Sequence, residues 1–169
     1  KLLGTDLGLC YARYVQMLDR FRFLTFSLII ARAVEALTDP AVSTRVRGPL
    51  RHLIVDEYQD INPAQQRLIE LLAADPVHLC VVGDDDQNIY GFRGGDSIYM
   101  QRLIEEKNAK KYELVENYRS KNNIVDYSNQ WVRNIEKRLK KTPGYSIQKG
   151  NGNIQVIQYN NSNLIVPLA

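Results

Sequence analysis

Two segments of the sequence each carry an apolar run that ends abruptly in acidic and amide residues. The first is His52–Asp60 (HLIVDEYQD), and the second is Val81–Asp96 (VVGDDDQNIYGFRGGD). An apolar run rich in β-branched residues is typical of a buried strand, and open α/β sheets bind ligands at the carboxyl ends of their strands. Both segments therefore predict strands that end at a polar crevice.

Asp56 and Glu57 are adjacent carboxylates at the first of these strand ends. An aspartate oxygen suits magnesium, which prefers hard oxygen ligands and keeps most of its water shell. A neighbouring glutamate can orient and deprotonate an attacking water. The pair indicates phosphate chemistry, although a surface charge pair would give the same two residues. Gln59 and Asp60 add an amide and a third carboxylate, and such a cluster is costly to assemble unless it binds something.

The second segment adds an amide and a loop of aromatic and cationic residues. We interpret Gln87 as an amide that reaches a phosphate oxygen or an ordered water. Tyr90, Phe92 and Arg93 are interleaved with glycines, and exposed rings beside an arginine form a stacking platform for unpaired bases. The alternative is that the rings pack into the core.

A third polar segment is Glu116–Ser120, which contains an arginine after a tyrosine. Arg119 is a candidate for clamping a phosphate, and Tyr118 is a candidate for stacking on a base. The alternative for Arg119 is an ordinary surface arginine at a helix start.

Alternating strands and helices are predicted to position these residues. The predicted strands are His52–Val55, Leu79–Val82 and Tyr112–Val115, with weaker candidates at Ile154–Gln158 and Leu164–Val166. Strands that alternate with helices of this length predict a parallel sheet with right-handed crossovers, and so an α/β fold.

The predicted helices are bounded by local capping and breaking signals. A helical pattern runs over Tyr11–Leu37, and a polar connector is predicted at 41–49. Asn62, Pro63 and Gln65 have the spacing of a capping box at a helix start. This helix is predicted to end near Asp75-Pro76. Asp96 is predicted to cap the next helix, and Ser120 to cap a long helix that extends to Leu139.

The composition is that of an ordinary globular protein, with 44% hydrophobic and 24% charged residues in 169. The net charge of +3 permits a nucleic-acid partner without demanding one. Cys10 and Cys80 form neither a disulfide framework nor a zinc site, and we expect Cys80 to be a small core residue in a reducing, cytoplasmic setting. No apolar run approaches the length of a membrane span. The chain starts at Lys1 and is expected to be a fragment.

Three motifs in series, VDEYQD (55–60), GDDDQNIYGFRGGD (83–96) and LVENYRS (114–120), closely resemble motifs II, III and IV of UvrD/Rep-type superfamily 1 DNA helicases. The resemblance runs from about Arg51 to about Lys140. It implies an incomplete RecA-like P-loop NTPase motor core with a parallel sheet. Residues 1–110 would be the C-terminal part of the first motor domain, preceded by a helical segment at 1–40, and residues 111–169 the start of the second.

The resemblance also implies ATP and Mg²⁺ as cofactors and assigns a role to each candidate residue. Asp56 would bind magnesium, and Glu57 would activate the hydrolytic water. Gln87 would sense the γ-phosphate and couple it to the DNA site. The remaining roles are adenine stacking for Tyr118, a γ-phosphate contact for Arg119, and single-stranded DNA contacts for Tyr90, Phe92 and Arg93.

The implied function is an ATP-dependent DNA helicase that translocates on single-stranded DNA and unwinds duplex junctions, in DNA repair or replication. No G-x-x-x-x-G-K-[ST] loop is present in the sequence, so we expect the isolated chain neither to hydrolyse ATP efficiently nor to unwind DNA. One alternative is the motor portion of an AddA/RecB-like helicase–nuclease. Another is a non-catalytic single-stranded-DNA-binding module, against which the intact Asp56–Glu57 pair argues.

Overall fold

The structure is a computed structural model that describes residues 4–89, 97–136 and 138–155. The chain divides into two compact units, Lys1–Asn108 and Ala109–Ala169. Each unit combines helices with a two-stranded parallel sheet in its described part. The mixture of helices and parallel strands confirms the predicted α/β class. No helix within the described ranges is long and apolar enough to cross a membrane.

The first unit begins with two helices where the sequence predicted one helical pattern over Tyr11–Leu37. Helix α1 is Asp6–Phe21 and helix α2 is Phe26–Leu37. Arg22 ends α1 in a left-handed conformation with φ 56°, and its backbone N–H donates back into the last turn. Thr25 then caps α2 with its side-chain oxygen. The chain turns between these two caps, so the apolar pattern continues while the helix does not.

The polar connector predicted at 41–49 is wrong because most of it is helical. Helix α3 is Pro40–Arg47. A carboxylate oxygen of Asp39 accepts a hydrogen bond from the backbone N–H of Ala41 at 2.7 Å. Proline at the first helical position lacks only a donor that the helix does not use. The pair Asp39-Pro40 therefore separates α2 from a new helix.

The sheet of the first unit pairs strand β1 (His52–Val55) in parallel with strand β2 (His78–Val81). The register places His52 beside His78. The first strand has the predicted bounds, which confirms that prediction. The second begins and ends one residue before the predicted Leu79–Val82.

Helix α4 (Pro63–Leu72) connects the two strands and begins with the predicted capping box. The Asn62 side chain accepts from the backbone N–H of Gln65 at 3.0 Å, and the Gln65 side chain accepts from the N–H of Asn62 at 2.9 Å. These reciprocal bonds satisfy two donors that a helix start leaves unpaired. The helix ends at Leu72, before Asp75-Pro76.

The core of the first unit lies on one face of this sheet. Helix α5 (Ile98–Lys107) contributes to it. In this core cluster the buried residues are Tyr58, Ile61 and Ile69, and the residues packed against them are Leu53, Val55, Leu79, Val81, Tyr99, Met100 and Leu103. The other face of the two strands is exposed, as shown by Ile54, which is 70% exposed.

The prediction that Cys80 is a core residue is wrong, because Cys80 is exposed. Side chains alternate between the two faces of a strand, and the core residues Leu79 and Val81 flank it on the opposite face. An unbroken apolar run does not reveal which of its residues face the core.

The sheet of the second unit pairs strand β3 (Glu116–Lys121) in parallel with strand β4 (Tyr145–Gln148). The strand predicted at Tyr112–Val115 is wrong, and Leu114 in that segment is 87% exposed. The ladder starts only where a partner is present, with Glu116 beside Tyr145. The apolar run therefore precedes the strand.

The helix predicted from Ser120 to Leu139 is shorter in the structure. Helix α6 is Asn122–Trp131, and a single 3₁₀ turn follows at Val132–Asn134. Ser120 lies in β3, where its carbonyl accepts from the Ser146 hydroxyl at 2.6 Å. The strand thus occupies the residue that was expected to cap the helix. Ile154 and Gln155 belong to no strand, and the rest of the two weaker strand candidates lies outside the described residues.

Candidate functional site

Asp56 and Glu57 follow the last residue of β1 directly, and both are exposed. The Asp56 carboxylate accepts the backbone N–H of Glu57 at 2.9 Å. Glu57 has a left-handed backbone with φ 51°, and a 3₁₀ turn follows at Tyr58–Asp60. Non-glycine residues rarely adopt this conformation, and those that do are concentrated at functional sites. The strand end thus presents two carboxylates to solvent, one of them on a constrained backbone.

Gln59 was predicted as part of a polar cluster that awaits a ligand, but its side chain is only 1% exposed. Its amide nitrogen donates to the Glu57 carboxylate at 2.7 Å. Its amide oxygen accepts the backbone N–H of Asp84 at 3.0 Å. Both ends of the amide are therefore satisfied inside the protein, and Gln59 is a connecting residue.

The turn after β2 lies beside the turn after β1. The backbone N–H of Tyr58 donates to the carbonyl of Val82 at 2.9 Å, so the two segments of backbone stay paired beyond the ends of β1 and β2. Gly83 comes next, and a Cβ there would lie 3.1 Å from the Tyr58 nitrogen. A side chain at this position would press on the Tyr58 backbone, so the close approach of the two turns favours glycine here.

Gln87 lies in this second turn, within the 3₁₀ segment Asp85–Gln87. Its amide nitrogen donates to the Asp84 carboxylate at 2.8 Å. A series of three hydrogen bonds thus connects Glu57 to Gln87. Gln59 bonds to the Glu57 carboxylate and to the Asp84 backbone, and the Asp84 carboxylate accepts from Gln87. Glu57 and Gln87, both predicted for nucleotide chemistry at different strand ends, are connected through Gln59, which was predicted to belong to a ligand-binding cluster, and through Asp84, for which no role was predicted.

The donor set fits a magnesium ion of the kind that the resemblance implies. Magnesium is usually held by one or two carboxylates together with phosphate and water, and it does not need an all-protein cage. Asp56 supplies an exposed carboxylate of this type. Across the described ranges, no group of three or more histidine, cysteine, aspartate or glutamate side chains is placed to hold a metal. A metal at this strand end would therefore depend on the nucleotide for further ligands.

Tyr118 and Arg119 lie in β3 of the second unit, and both are exposed. Together with Glu116 and Asn117 they line an open surface depression of about 450 Å³. The Asn117 side chain accepts the backbone N–H of Arg119 at 3.0 Å. The structure thus brings the predicted base-stacking tyrosine and the predicted phosphate-binding arginine to one surface.

The hydroxyl of Tyr118 donates to the Glu116 carboxylate, which also accepts from the hydroxyl of Tyr145 at 2.8 Å. The hydrogen bond to the carboxylate raises the pKa of Tyr118 and that of Tyr145. The two phenols in turn lower the pKa of Glu116. Glu116 was visible in the third motif, but Tyr145 had no local signal, because the two meet only through the pairing of β3 with β4.

The predicted single-stranded DNA contacts Tyr90, Phe92 and Arg93 lie outside the described residues, as does the predicted helix cap Asp96. Helix α5 begins at Ile98 after Ser97. The roles of these residues stay predictions.

The described fold is that of an α/β protein with polar side chains at the carboxyl ends of adjacent parallel strands, a class that binds ligands at such ends. Residues 3–108 match the family model of the UvrD/REP helicase N-terminal domain. Because this match covers more than half of the chain, the chain belongs to the UvrD/REP helicase family. The family predicted from three short motifs is confirmed.

Named relatives agree with this family. The chain is 37% identical over 133 residues to DNA helicase II of Escherichia coli, an alignment that covers 78% of this chain and 18% of the relative. It is 37% identical over 136 residues to ATP-dependent DNA helicase PcrA of Staphylococcus aureus, with 78% and 18% covered. DNA helicase II of Haemophilus influenzae is 33% identical over 141 residues, with 83% and 19% covered. The chain therefore spans less than a fifth of the length of these relatives.

Proposed function

We propose that this chain is part of an ATP-dependent DNA helicase that couples ATP hydrolysis to translocation on single-stranded DNA and to duplex unwinding. One observation carries the proposal. In a chain of the UvrD/REP helicase family, the exposed Glu57, next to Asp56, is hydrogen-bonded through Gln59 to the turn that bears Gln87. DNA repair or replication in the cytoplasm is the setting that we propose for it.

The first unit would be the C-terminal part of a RecA-like motor domain, and the second unit the start of another. Asp56 would hold a magnesium ion, which neutralises charge on the nucleotide phosphates when it is bound. Glu57 would accept a proton from the hydrolytic water, and Gln87 would contact the γ-phosphate. Tyr118 would stack on adenine, and Arg119 would bind phosphate oxygens with its guanidinium.

Glu57→Gln in the full-length protein that contains this chain tests the hydrolytic role. The substitution keeps the size of the side chain and its bond from Gln59 but removes the base. We expect kcat for DNA-stimulated ATP hydrolysis to fall by about 10²- to 10⁴-fold. Glu70→Gln, which changes an exposed carboxylate on α4, is the matched control and should leave kcat unchanged. A kcat for Glu57→Gln within twofold of the unaltered enzyme would exclude the proposed role.

The isolated 169-residue chain gives a second test, because it has no phosphate-binding loop of its own. We expect no efficient ATP turnover from it, and robust turnover would refute this expectation.

The DNA contact is tested by fluorescence titration with a single-stranded oligonucleotide, comparing Phe92→Ala and Arg93→Ala with the unaltered protein. Each should bind more weakly, and unchanged binding by both would remove the stacking platform.

A further inference from the structure

Gln59 is one of two large side chains that are fully buried in the described part of the chain, and it is the polar one. Burial of an amide costs free energy unless its donor and acceptor are both used. In this structure both are used, by Glu57 at 2.7 Å and by the backbone of Asp84 at 3.0 Å. The burial of Gln59 is thus compensated only while these two partners stay in place.

The two partners belong to different strand ends, and Asp84 is 25 residues along the chain from Gln59. The bond to Glu57 has a carboxylate as its acceptor, and such charge-assisted bonds are stronger than bonds between neutral groups. A rotation of the amide would exchange its oxygen and nitrogen and break both bonds. The amide therefore specifies one position of the Glu57 carboxylate relative to the second turn.

The space around the amide leaves little freedom for another arrangement. A Cβ added at Gly83 would lie 2.7 Å from the amide oxygen of Gln59 and 2.6 Å from the end of the Met100 side chain. Interiors packed this closely transmit a displacement instead of absorbing it. The backbone of Glu57, at φ 51°, is constrained as well. The backbone of Glu57 is thus constrained, and the hydrogen bond from Gln59 holds its carboxylate.

We propose that Gln59 is a positioning residue that holds the Glu57 carboxylate and aligns it with the turn that carries Gln87. The proposal rests on the proposed function, in which Glu57 activates water and Gln87 contacts the γ-phosphate. Movement of Gln87 reaches Glu57 through Asp84 and the amide of Gln59. The glutamine thereby connects the group that contacts phosphate with the group that accepts the proton.

Gln59→Glu in the full-length protein tests this role, since it replaces the amide donor with an oxygen and keeps the acceptor for Asp84. Two carboxylates then face each other where a hydrogen bond was. We expect kcat to fall about 10- to 100-fold, the effect of misplacing a catalytic group, while KM for ATP changes less than twofold. Gln65→Glu is the control, because it makes the same chemical change in a partly buried glutamine whose side chain also accepts a backbone N–H. It should leave kcat unchanged.

The exchanged pair Glu57→Gln/Gln59→Glu separates the contact from its catalytic effect. It restores one amide facing one carboxylate, so we expect its melting temperature to recover relative to Gln59→Glu, although kcat stays low without the base. If Gln59→Glu does not fold, Gln59→Met removes both bonds without adding charge and should lower kcat at unchanged KM.

Each outcome bears on one proposal. A Gln59 variant that folds and keeps its kcat, while Glu57→Gln loses turnover, overturns the positioning role alone. A Glu57→Gln enzyme with unchanged kcat overturns the hydrolytic role on which it rests. A fall in kcat that is matched by an equal rise in KM would also contradict positioning, because it would show a loss of ATP binding.

Discussion

The phenol of Tyr145 donates a 2.8 Å hydrogen bond to the Glu116 carboxylate, and these two residues lie side by side in the register of β3 and β4. The other oxygen of the same carboxylate accepts from Tyr118. One carboxylate thus connects the first residue of β4 to the tyrosine proposed to stack on adenine. This small network lies on an exposed surface, where its protonation can be followed directly.

We predict that Glu116→Gln lowers the pKa of both phenols toward the ordinary value of 10.0, because the carboxylate that opposes their ionisation is gone. The measurement is the absorbance of tyrosinate during an alkaline titration. The chain has ten tyrosines, so Tyr145→Phe with and without Glu116→Gln isolates Tyr118. Identical titration curves with and without the carboxylate would contradict the hydrogen bonds.

The same network makes a prediction about stability and pH. The pKa of Glu116 is lowered on folding. Its contribution to the free energy of unfolding is therefore fully present above pH 4.5 and is lost as the pH falls through the folded pKa. The pKa values of Tyr118 and Tyr145 are raised on folding. Their contribution to the free energy of unfolding is therefore fully present below pH 10.0 and is lost as the pH rises through the folded pKa values. The stability difference between the unaltered chain and Glu116→Gln should therefore be constant between these limits and shrink outside them. Urea denaturation across pH measures it, and a difference that peaks outside this window would be inconsistent with the network.

Glu113 provides a second pH-dependent contact in the same unit. The Lys111 ammonium, 2.6 Å away, lowers the pKa of Glu113 to about 2, together with the Thr142 side chain and the backbone N–H groups of Lys141 and Thr142. We predict that Glu113→Gln destabilises the chain at neutral pH and that the loss disappears as pH falls from 4.5 to about 2, where the unaltered carboxylate is protonated too. Denaturation with urea at several pH values provides the measurement.

The control for this experiment is Glu136→Gln, which changes an exposed carboxylate of the same unit. It should show little destabilisation at neutral pH. If Glu113→Gln is no less stable than Glu136→Gln at pH 7, the contacts of Glu113 contribute nothing measurable.

The features that were predicted correctly from the sequence are set by neighbouring residues. The start of α4 follows from Asn62, Pro63 and Gln65 alone, so its capping box was found. The acidic end of β1 was found in the same way, from the change of residue type after Val55. The family itself was also within reach, because its motifs are short and contiguous.

Several errors arise from tertiary packing that a local pattern does not reveal, whereas the α1–α2 break and helix α3 were missed although their caps, Thr25 and Asp39, are local. Strand β3 starts at Glu116 because Tyr145 pairs with it there, and no local preference of the run Tyr112–Val115 shows this. Gln59 is buried because Asp84 from the next strand end satisfies its oxygen. Cys80 is exposed because alternation within β2 places its neighbours in the core.

The capping box of α4 carries a stability prediction of its own. Asn62→Ala removes the acceptor for the N–H groups of Ala64 and Gln65, and we expect a loss of about 1 kcal/mol in the free energy of unfolding. Gln65→Ala removes only the reciprocal bond and should cost less. Urea denaturation of the two variants distinguishes them. An equal or larger loss for Gln65→Ala would show that the asparagine is not the main cap.

Gly83 lies where the turns after the two strands are in close contact, and Gly83→Ala tests that contact. A Cβ there would lie 2.6 Å from Met100 Cε, 2.7 Å from the Gln59 amide oxygen and 3.1 Å from the Tyr58 backbone nitrogen. The methionine end can move, but the amide is held by two hydrogen bonds and the backbone nitrogen by a third. We therefore predict a loss of about 1–3 kcal/mol in the free energy of unfolding, as for other overpacked sites.

Gly144→Ala is the matched control for this prediction, because its Cβ would meet Val115 O at 3.5 Å, an ordinary contact. It should change the free energy of unfolding by no more than about 0.5 kcal/mol. Gly83→Ala/Met100→Ala removes the flexible neighbour and leaves the other two, so we expect no recovery of stability. Full recovery in the double variant would show that Met100 alone causes the clash. It would then follow that the turn beside Gln59 can shift, which would weaken the case that this glutamine fixes Glu57.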